Sequence, residues 1–365
     1  MPAPTRNPSS CDPTAWPERR FYAMGCHMSA RLAIGPARAA APLAQVEALF
    51  ADAEKRLSRF DPNSELSRLN ACPGRWQPVS RLLWDVLASA LLMAEETGGL
   101  FDPTLLPALE AAGYTRSFEQ LRDQRMADEP AAAGPMGDGA LPGLPADPSP
   151  PLAPWPGGQY RLIRRRPMTH KSPPQVRLPA GVKLDFGGIA KGYVAQQAVM
   201  LLRRFGPALV DAGGDLAAGD APPGFPGWPV AVAAPDSADE GEGRDLALVW
   251  LANAALATSG TDYRRWQWNG RAVHHILDPR SGQPAATDLV AVTVLAPTAV
   301  QAEAWAKAAL ILGQQTGAGA LAARRLAGLL AGRDGRVTIT PALRPWLAWP
   351  ALHDLNSTDE TDEER

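Results

Sequence analysis

The chain has 365 residues, 45% hydrophobic and 20% charged, the composition of an ordinary globular protein long enough to bury a sizeable core. A net charge of −2 excludes a general pull toward nucleic acid or acidic membrane, and the one basic run, "IRRRP" at 163–167, is too short to form a binding stripe. There is no apolar stretch of membrane-spanning length and no Sec-type leader, and Cys11, Cys26 and Cys72 form no CxxC pair, which together predict a cytoplasmic protein with reduced thiols.

Residues 1–18 are Pro-rich and read as disordered. "RRFYAMGCHMSARLAI" predicts a strand, a Gly turn and a second strand. Leu43, Val46, Phe50, Ala53 and Leu57 fall at helical spacing. In "DPNSELSRLN", Asp61 is expected to cap a helix with Pro62 at its first position. "SRLLWDVLASALLMAEETGG" predicts a further helix, stopped by Gly98 and Gly99. Residues 127–158 are dense in Pro and Gly and cannot bury enough apolar surface to offset their ordering entropy. Structured patterns resume on both sides, so this segment is expected to loop out of one domain spanning 19–350.

"YRLIRRR" and "QVRLPAGVKLDFGG" read as strands, the second bringing Asp185 to its end before the helix "IAKGYVAQQAVMLLRRFG". "PALVDAGGDLAAG" predicts a short strand and a Gly turn, and "LVWLANAALATSG" paired strands. "RRWQWNGRAVHHILD" predicts a hairpin with a type I′ turn at Asn269-Gly270. "LVAVTVLAPTAVQAEAWAKAALILG" is a buried strand followed by a helix, and "RRLAGLLAGRDGRVTIT" a helix followed by a hairpin. The acidic residues 351–365 read as a disordered tail. Strands and helices mix without strict βαβ alternation, which predicts an α+β fold with mixed sheets and packed helices.

Five Gly-containing corners lie beside polar or aromatic residues: "AMGC" at 23, "TGGLFDPT" at 97, "LDFGGIAKG" at 184, "DAGGDLAAG" at 211 and "ATSGTDY" at 257. A corner glycine lets backbone approach a ligand, and exposed N–H groups there bind phosphate oxygens. None matches G-x-G-x-x-G, and "GGIAKG" lacks the G-K-[ST] of a P-loop. In "LDFGGIAKG", Lys191 falls in the first turn of a helix whose N-terminus favours anions; this is either a phosphate grip or a surface Lys on an ordinary corner. Residues 304–312 are apolar on every face except at Lys307, which predicts a buried helix. Glu303 and Lys307 share a face at i and i+4, and an ion pair in a buried helix is costly unless something offsets its desolvation. In "VHHILDPRSG" at 273–282, strand alternation puts Arg271, Val273, His275 and Leu277 on one face and Ala272, His274 and Ile276 on the other. His274 and His275 therefore do not chelate one metal, and at most one points into a site.

These pieces, in this order, resemble the ApbE family, the FAD:protein FMN transferases. The resemblance is carried by "AMGC", "LSRFDPNSELSRLN", "GGLFDPTLLPAL", "LDFGGIAKGYVAQQ", "ALVDAGGDLAAG", "ATSGTDY", "HHILDPRSG" and "VTVLAPTAVQAEAWAKAALILG", from about residue 21 to 340. It implies an α+β fold binding FAD in a cleft between two halves, normally with Mg²⁺. It implies cleavage of the FAD pyrophosphate, attachment of FMN by a phosphoester bond to a Thr or Ser of a target flavoprotein, and release of AMP. The alternatives are hydrolysis of FAD to FMN and AMP, or flavin binding without catalysis.

By position, the resemblance assigns FAD contacts to Met24, Phe60, Leu100, Phe101, Asp102, Asp185, Lys191, His275 and Ile276. His275 is also the expected acid or base. Gly188, through its carbonyl, and Glu303 stand at metal positions. The family's metal helix often reads Ala-Asp-Ala-x-x-Thr; here Glu303 replaces the Asp, Lys307 the Thr, and Ala306 a position that is sometimes acidic. An ammonium cannot ligate Mg²⁺, so the usual metal site is expected to be altered or lost, with Lys307 supplying charge to the pyrophosphate directly. Cys26 stands where the family usually has Thr.

Overall fold

Ala208–Ala212, Ala254–Gly260, Leu289–Ala296 and Ala327–Gly332 are almost continuously apolar, so each must be covered on both faces. In the computed structural model, which describes residues 16–118, 120, 157–235, 245–268 and 271–348, they form the middle of an eight-stranded sheet. Its order is Glu18–Ala23, Cys26–Leu32, Ala208–Ala212, Leu216–Ala218, Ala254–Gly260, Leu289–Ala296, Ala327–Gly332 and Val337–Ile339. Every neighbouring pair is antiparallel. The α+β class holds, but this sheet is not mixed. Three of its connections are tight turns, at Met24-Gly25, Gly213-Gly214 and Asp334-Gly335, and a hairpin can only join antiparallel strands.

The chain divides into two compact units. The first comprises the residues up to Glu54, Gly187–Gly260, and Thr287 onward. It holds the large sheet, against which the helices Ala190–Leu202 and Ala299–Leu312 pack. From Ala302 to Ile311 every residue except Lys307 is buried, as the all-round apolar pattern predicts. Thr298 starts that helix, its Oγ1 accepting from the Gln301 N–H at 3.3 Å. A ribbon of Trp228–Ala233 and Asp245–Leu251 buries Trp228, Val230, Val249 and Leu251 against Leu209, Leu256, Leu295 and Leu329 of the sheet.

The second unit comprises Lys55–Phe186 and Thr261–Ala286. It contains the helices Glu65–Asn70, Arg81–Glu96 and Leu106–Ala111. With them are a small sheet of Gln77–Pro78, Gln175–Arg177 and Arg164–Arg166, and two short hairpins. Among the described residues, no helix is long and apolar enough to cross a membrane.

Several local expectations are corrected. Ser64, not Asp61, caps the helix Glu65–Asn70, because its Oγ accepts from the Ser67 N–H while Asp61 Oδ1 is used by the Asn63 N–H. The strands of "LVWLANAALATSG" do not pair with each other. Asn253, at φ 49°, turns the chain out of the ribbon and into the large sheet, giving its N–H to the Gly219 carbonyl. "RRLAGLLAG" is the turn and strand after the helix Gln314–Ala323, not a helix. Leu184 and Asp185 lie outside any regular strand. Most of the Pro-rich N-terminus expected to be disordered, most of the 127–158 insertion, the turn expected at Asn269-Gly270 and the acidic tail lie outside the described residues.

Among the described residues, Trp228 is the largest fully buried side chain, and it gives its indole N–H to the Asp220 carbonyl. Trp228→Ala is expected to cost about 3–5 kcal/mol, read as a lower urea midpoint.

Candidate functional site

In the first unit, four charged side chains converge from three segments. Lys191 lies in the first turn of Ala190–Leu202, and its ammonium pairs with the Asp215 carboxylate from the "DAGGDLAAG" turn. Burial alone would lower the Lys191 pKa, but Asp215 and then Glu303 outweigh it and hold the ammonium above its ordinary value. Nearby, burial pushes the Asp211 carboxyl up while the Gly214 N–H opposes the shift.

Glu303 is 1% exposed. Its Oε1 accepts from the Gly192 N–H at 2.7 Å, and its Oε2 is 3.6 Å from Lys307 Nζ. Gly192 is required here, since a Cβ would fall 2.3 Å from Oε1 and 3.0 Å from the Ala299 Cβ. Burial and the Asp215 charge raise the Glu303 pKa; Lys307, Lys191 and the Gly192 N–H pull against them. Lys307 runs over Gly188, where a Cβ would meet its Cε at 2.7 Å. Its ammonium also lies 3.4 Å from the Glu303 carbonyl. Met24 and Gly25 both take positive φ in the turn before Cys26, and a non-Gly residue held there is a strained feature of the kind found at ligand sites.

The residues present do not fit a resident Mg²⁺ at Gly188 and Glu303. Magnesium requires oxygen donors near octahedral geometry, whereas the Lys307 side chain covers Gly188 and its cation faces the Glu303 carboxylate. Among the described residues, no three His, Cys, Asp or Glu side chains group to hold a metal.

In the second unit, three motif pieces are tied together by hydrogen bonds. Asn70 clamps the backbone of Leu184, donating Nδ2–H to its carbonyl at 2.9 Å and accepting its N–H at 2.8 Å. The Asp185 N–H donates to the Pro103 carbonyl. Asp102 accepts from the Thr104 N–H and hydroxyl and, on its other oxygen, from the Gly158 N–H. Burial raises its pKa and these donors oppose the rise. The Phe101 N–H donates to the Thr97 hydroxyl; Phe101 is buried and Leu100 half-buried.

Arg59, next to Phe60, has a side chain only 7% exposed. Its guanidinium carbon lies 4.2 Å from the Phe60 ring centre and 4.5 Å from that of Tyr114. Nη1 donates to the Tyr114 carbonyl, and Nε is 3.4 Å from Asp185 Oδ1. Phe60 itself is 41% exposed. The continuous strand expected through 271–277 ends at His274, so its alternation does not extend to His275, Ile276 and Leu277. His275 is half-buried with its N–H on the Arg264 carbonyl, and Ile276 is buried, its carbonyl accepting from the Ala285 N–H. His274 Nε2 is 3.3 Å from the Ala285 carbonyl oxygen.

The structure thus gathers Lys191, Gly188, Glu303 and Lys307 in one unit and Asp185 and Phe60 around Arg59 in the other. Arg59, Asn70 and Asp215 were not singled out from the sequence. Each lies inside a quoted motif, but only its partner reveals its role.

Asn70→Ala would strand a buried N–H and a buried carbonyl of Leu184, a loss of about 2–4 kcal/mol measured by chemical denaturation. Lys191→Met would leave Asp215 unpaired at a cost of about 3–5 kcal/mol. Because the folded Lys191 pKa is raised, its stabilisation is fully present below 10.5 and is lost as pH rises through the folded value. The stability gap between wild type and variant should therefore be constant from about pH 7 to 9 and shrink above 10.5.

The sequence pattern of the ApbE family matches residues 24–330. The FAD:protein FMN transferase of Treponema pallidum is 32% identical over 289 residues, covering 75% of this chain and 72% of that protein. The enzyme of that name from Klebsiella pneumoniae is 27% identical, covering 78% and 75%. The crystal structure of the ApbE protein of Thermotoga maritima shares the fold with a TM-score of 0.71 at 23% identity, covering 91% of this chain and 99% of that one. The apo flavinyl transferase ApbE of Pseudomonas stutzeri gives 0.70 at 24%, covering 92% and 97%. With a family match over most of its length, the chain belongs to the ApbE family.

Proposed function

We propose that the chain is an FAD:protein FMN transferase. The observation that carries this reading is the match to relatives of that name along about three quarters of the chain. In the reaction, a Thr or Ser hydroxyl oxygen of an acceptor flavoprotein attacks the FMN phosphorus of FAD. A new P–O bond forms, the bridging P–O bond of the pyrophosphate breaks, AMP leaves with its phosphate, and the hydroxyl proton passes to a base. Such a transfer needs charge neutralisation and positioning more than covalent catalysis by the protein. The helix start at Ala190–Leu202, whose N-terminus favours anions, supports the first requirement, while the Lys191 charge there is held by Asp215.

By family position, Met24, Phe60, Leu100, Phe101, Asp102, Asp185, Lys191 and Ile276 contact FAD. Several act through the frame described above: the Asn70 clamp and Arg59 hold Asp185, and Thr104 and Gly158 hold Asp102. His275 is the hydrogen-bonding or proton-transferring residue, and His274 is its structural neighbour.

Incubating the full chain with FAD and an acceptor flavoprotein should release AMP only when the acceptor is present, and should raise the acceptor mass by FMN less water. AMP release without acceptor would instead make the protein an FAD pyrophosphatase. His275→Ala should lower transfer by roughly 10²–10⁴-fold. His274→Ala should change it only a few-fold; equal losses would sink the assignment.

A further inference from the structure

We infer that the Lys307 ammonium takes the place of a divalent metal ion beside Glu303 and Gly188, so that the pyrophosphate is held and cleaved without one. The inference rests on the FMN-transfer reading for its substrate; the placement of the cation rests on geometry alone.

Glu303 is buried, with one carboxylate oxygen committed to the Gly192 N–H and the other facing Lys307 Nζ at 3.6 Å. The Lys307 stem lies on Gly188, with Nζ 3.4 Å from where a Cβ would stand. The ammonium therefore faces the carboxylate and covers the glycine, the two groups that would otherwise frame a metal. It offers no lone pair to a metal and repels one by like charge. It does suit an anion, since it carries three N–H donors and Glu303 engages it only through its carbonyl and its more distant carboxylate. Its side chain is 20% exposed, so it is reachable, whereas Lys191 is committed to Asp215 in a tight pair. From Ala302 to Ile311 the helix is otherwise buried, so the base of the Lys307 side chain is fixed in place by packing, as a preorganised electrostatic group requires.

The test uses the full chain stripped with EDTA. Titration with Mn²⁺, followed by electron paramagnetic resonance, should show no stoichiometric site in the wild type. Lys307→Thr, which removes the ammonium and its stem and leaves a short hydroxyl donor on the same helix face as Glu303, should gain one site, and adding Glu303→Gln should abolish it. A wild-type Mn²⁺ site that Glu303→Gln removes overturns the inference. These wild-type and Glu303→Gln measurements stand even if the Lys307 variant does not fold. AMP release by the wild type should be equal within twofold in EDTA and in Mg²⁺; a tenfold loss in EDTA restored by Mg²⁺ also overturns it. If AMP forms under no condition, the FMN-transfer reading fails, and FAD affinity then decides by flavin fluorescence quenching in EDTA. A tenfold or greater weakening in Lys307→Met supports the fixed cation, and unchanged affinity overturns it.

Discussion

A carboxylate with 1% of its surface exposed cannot be left to itself, and the way Glu303 is satisfied shapes the first unit. One oxygen takes the Gly192 N–H, which is possible only because Gly192 has no side chain and lets the helices Ala190–Leu202 and Ala299–Leu312 meet there. The other faces the Lys307 ammonium. The same helix crossing keeps Lys191 in the first turn after the glycine corner, where Asp215 offsets the cost of burying its charge. Two lysines and two carboxylates thus converge at a helix start, and each charge offsets the desolvation of another.

The second unit solves a different problem. Its motif segments are irregular backbone, which must find hydrogen-bond partners when buried. Asn70 mimics a strand partner for Leu184, and Asp102 gathers donors from Thr104 and Gly158. Arg59, held between Phe60 and Tyr114, reaches Asp185 from the other side. The residues that position the family's FAD contacts are therefore polar side chains spent on backbone, which identify themselves only once the backbone path is known.

The departures from expectation have local causes. Ser64 displaced Asp61 as a cap because both residues suit the role and the turn around Ser58 decides between them. Asp185 was expected at a strand end because its neighbours are apolar; in the fold its segment has side-chain and single-bridge partners instead of a ladder. The antiparallel sheet follows from tight turns whose glycines were visible, though the pairing of distant strands was not.

Amphipathic spacing, turn glycines and the run of 304–312, apolar on every face except at Lys307, are local properties, so the sequence alone determined the main helices, most turns and the α+β class. The ordered set of motifs likewise determined the family, and the single Lys in an apolar helix already marked Lys307 as out of place. Only the tertiary structure decided which charges face each other. Lys191 and Asp215 are 24 residues apart, and Glu303 meets Gly192 across 111. Such pairs depend on how helices cross and where turns end, which no short-range pattern in the chain encodes.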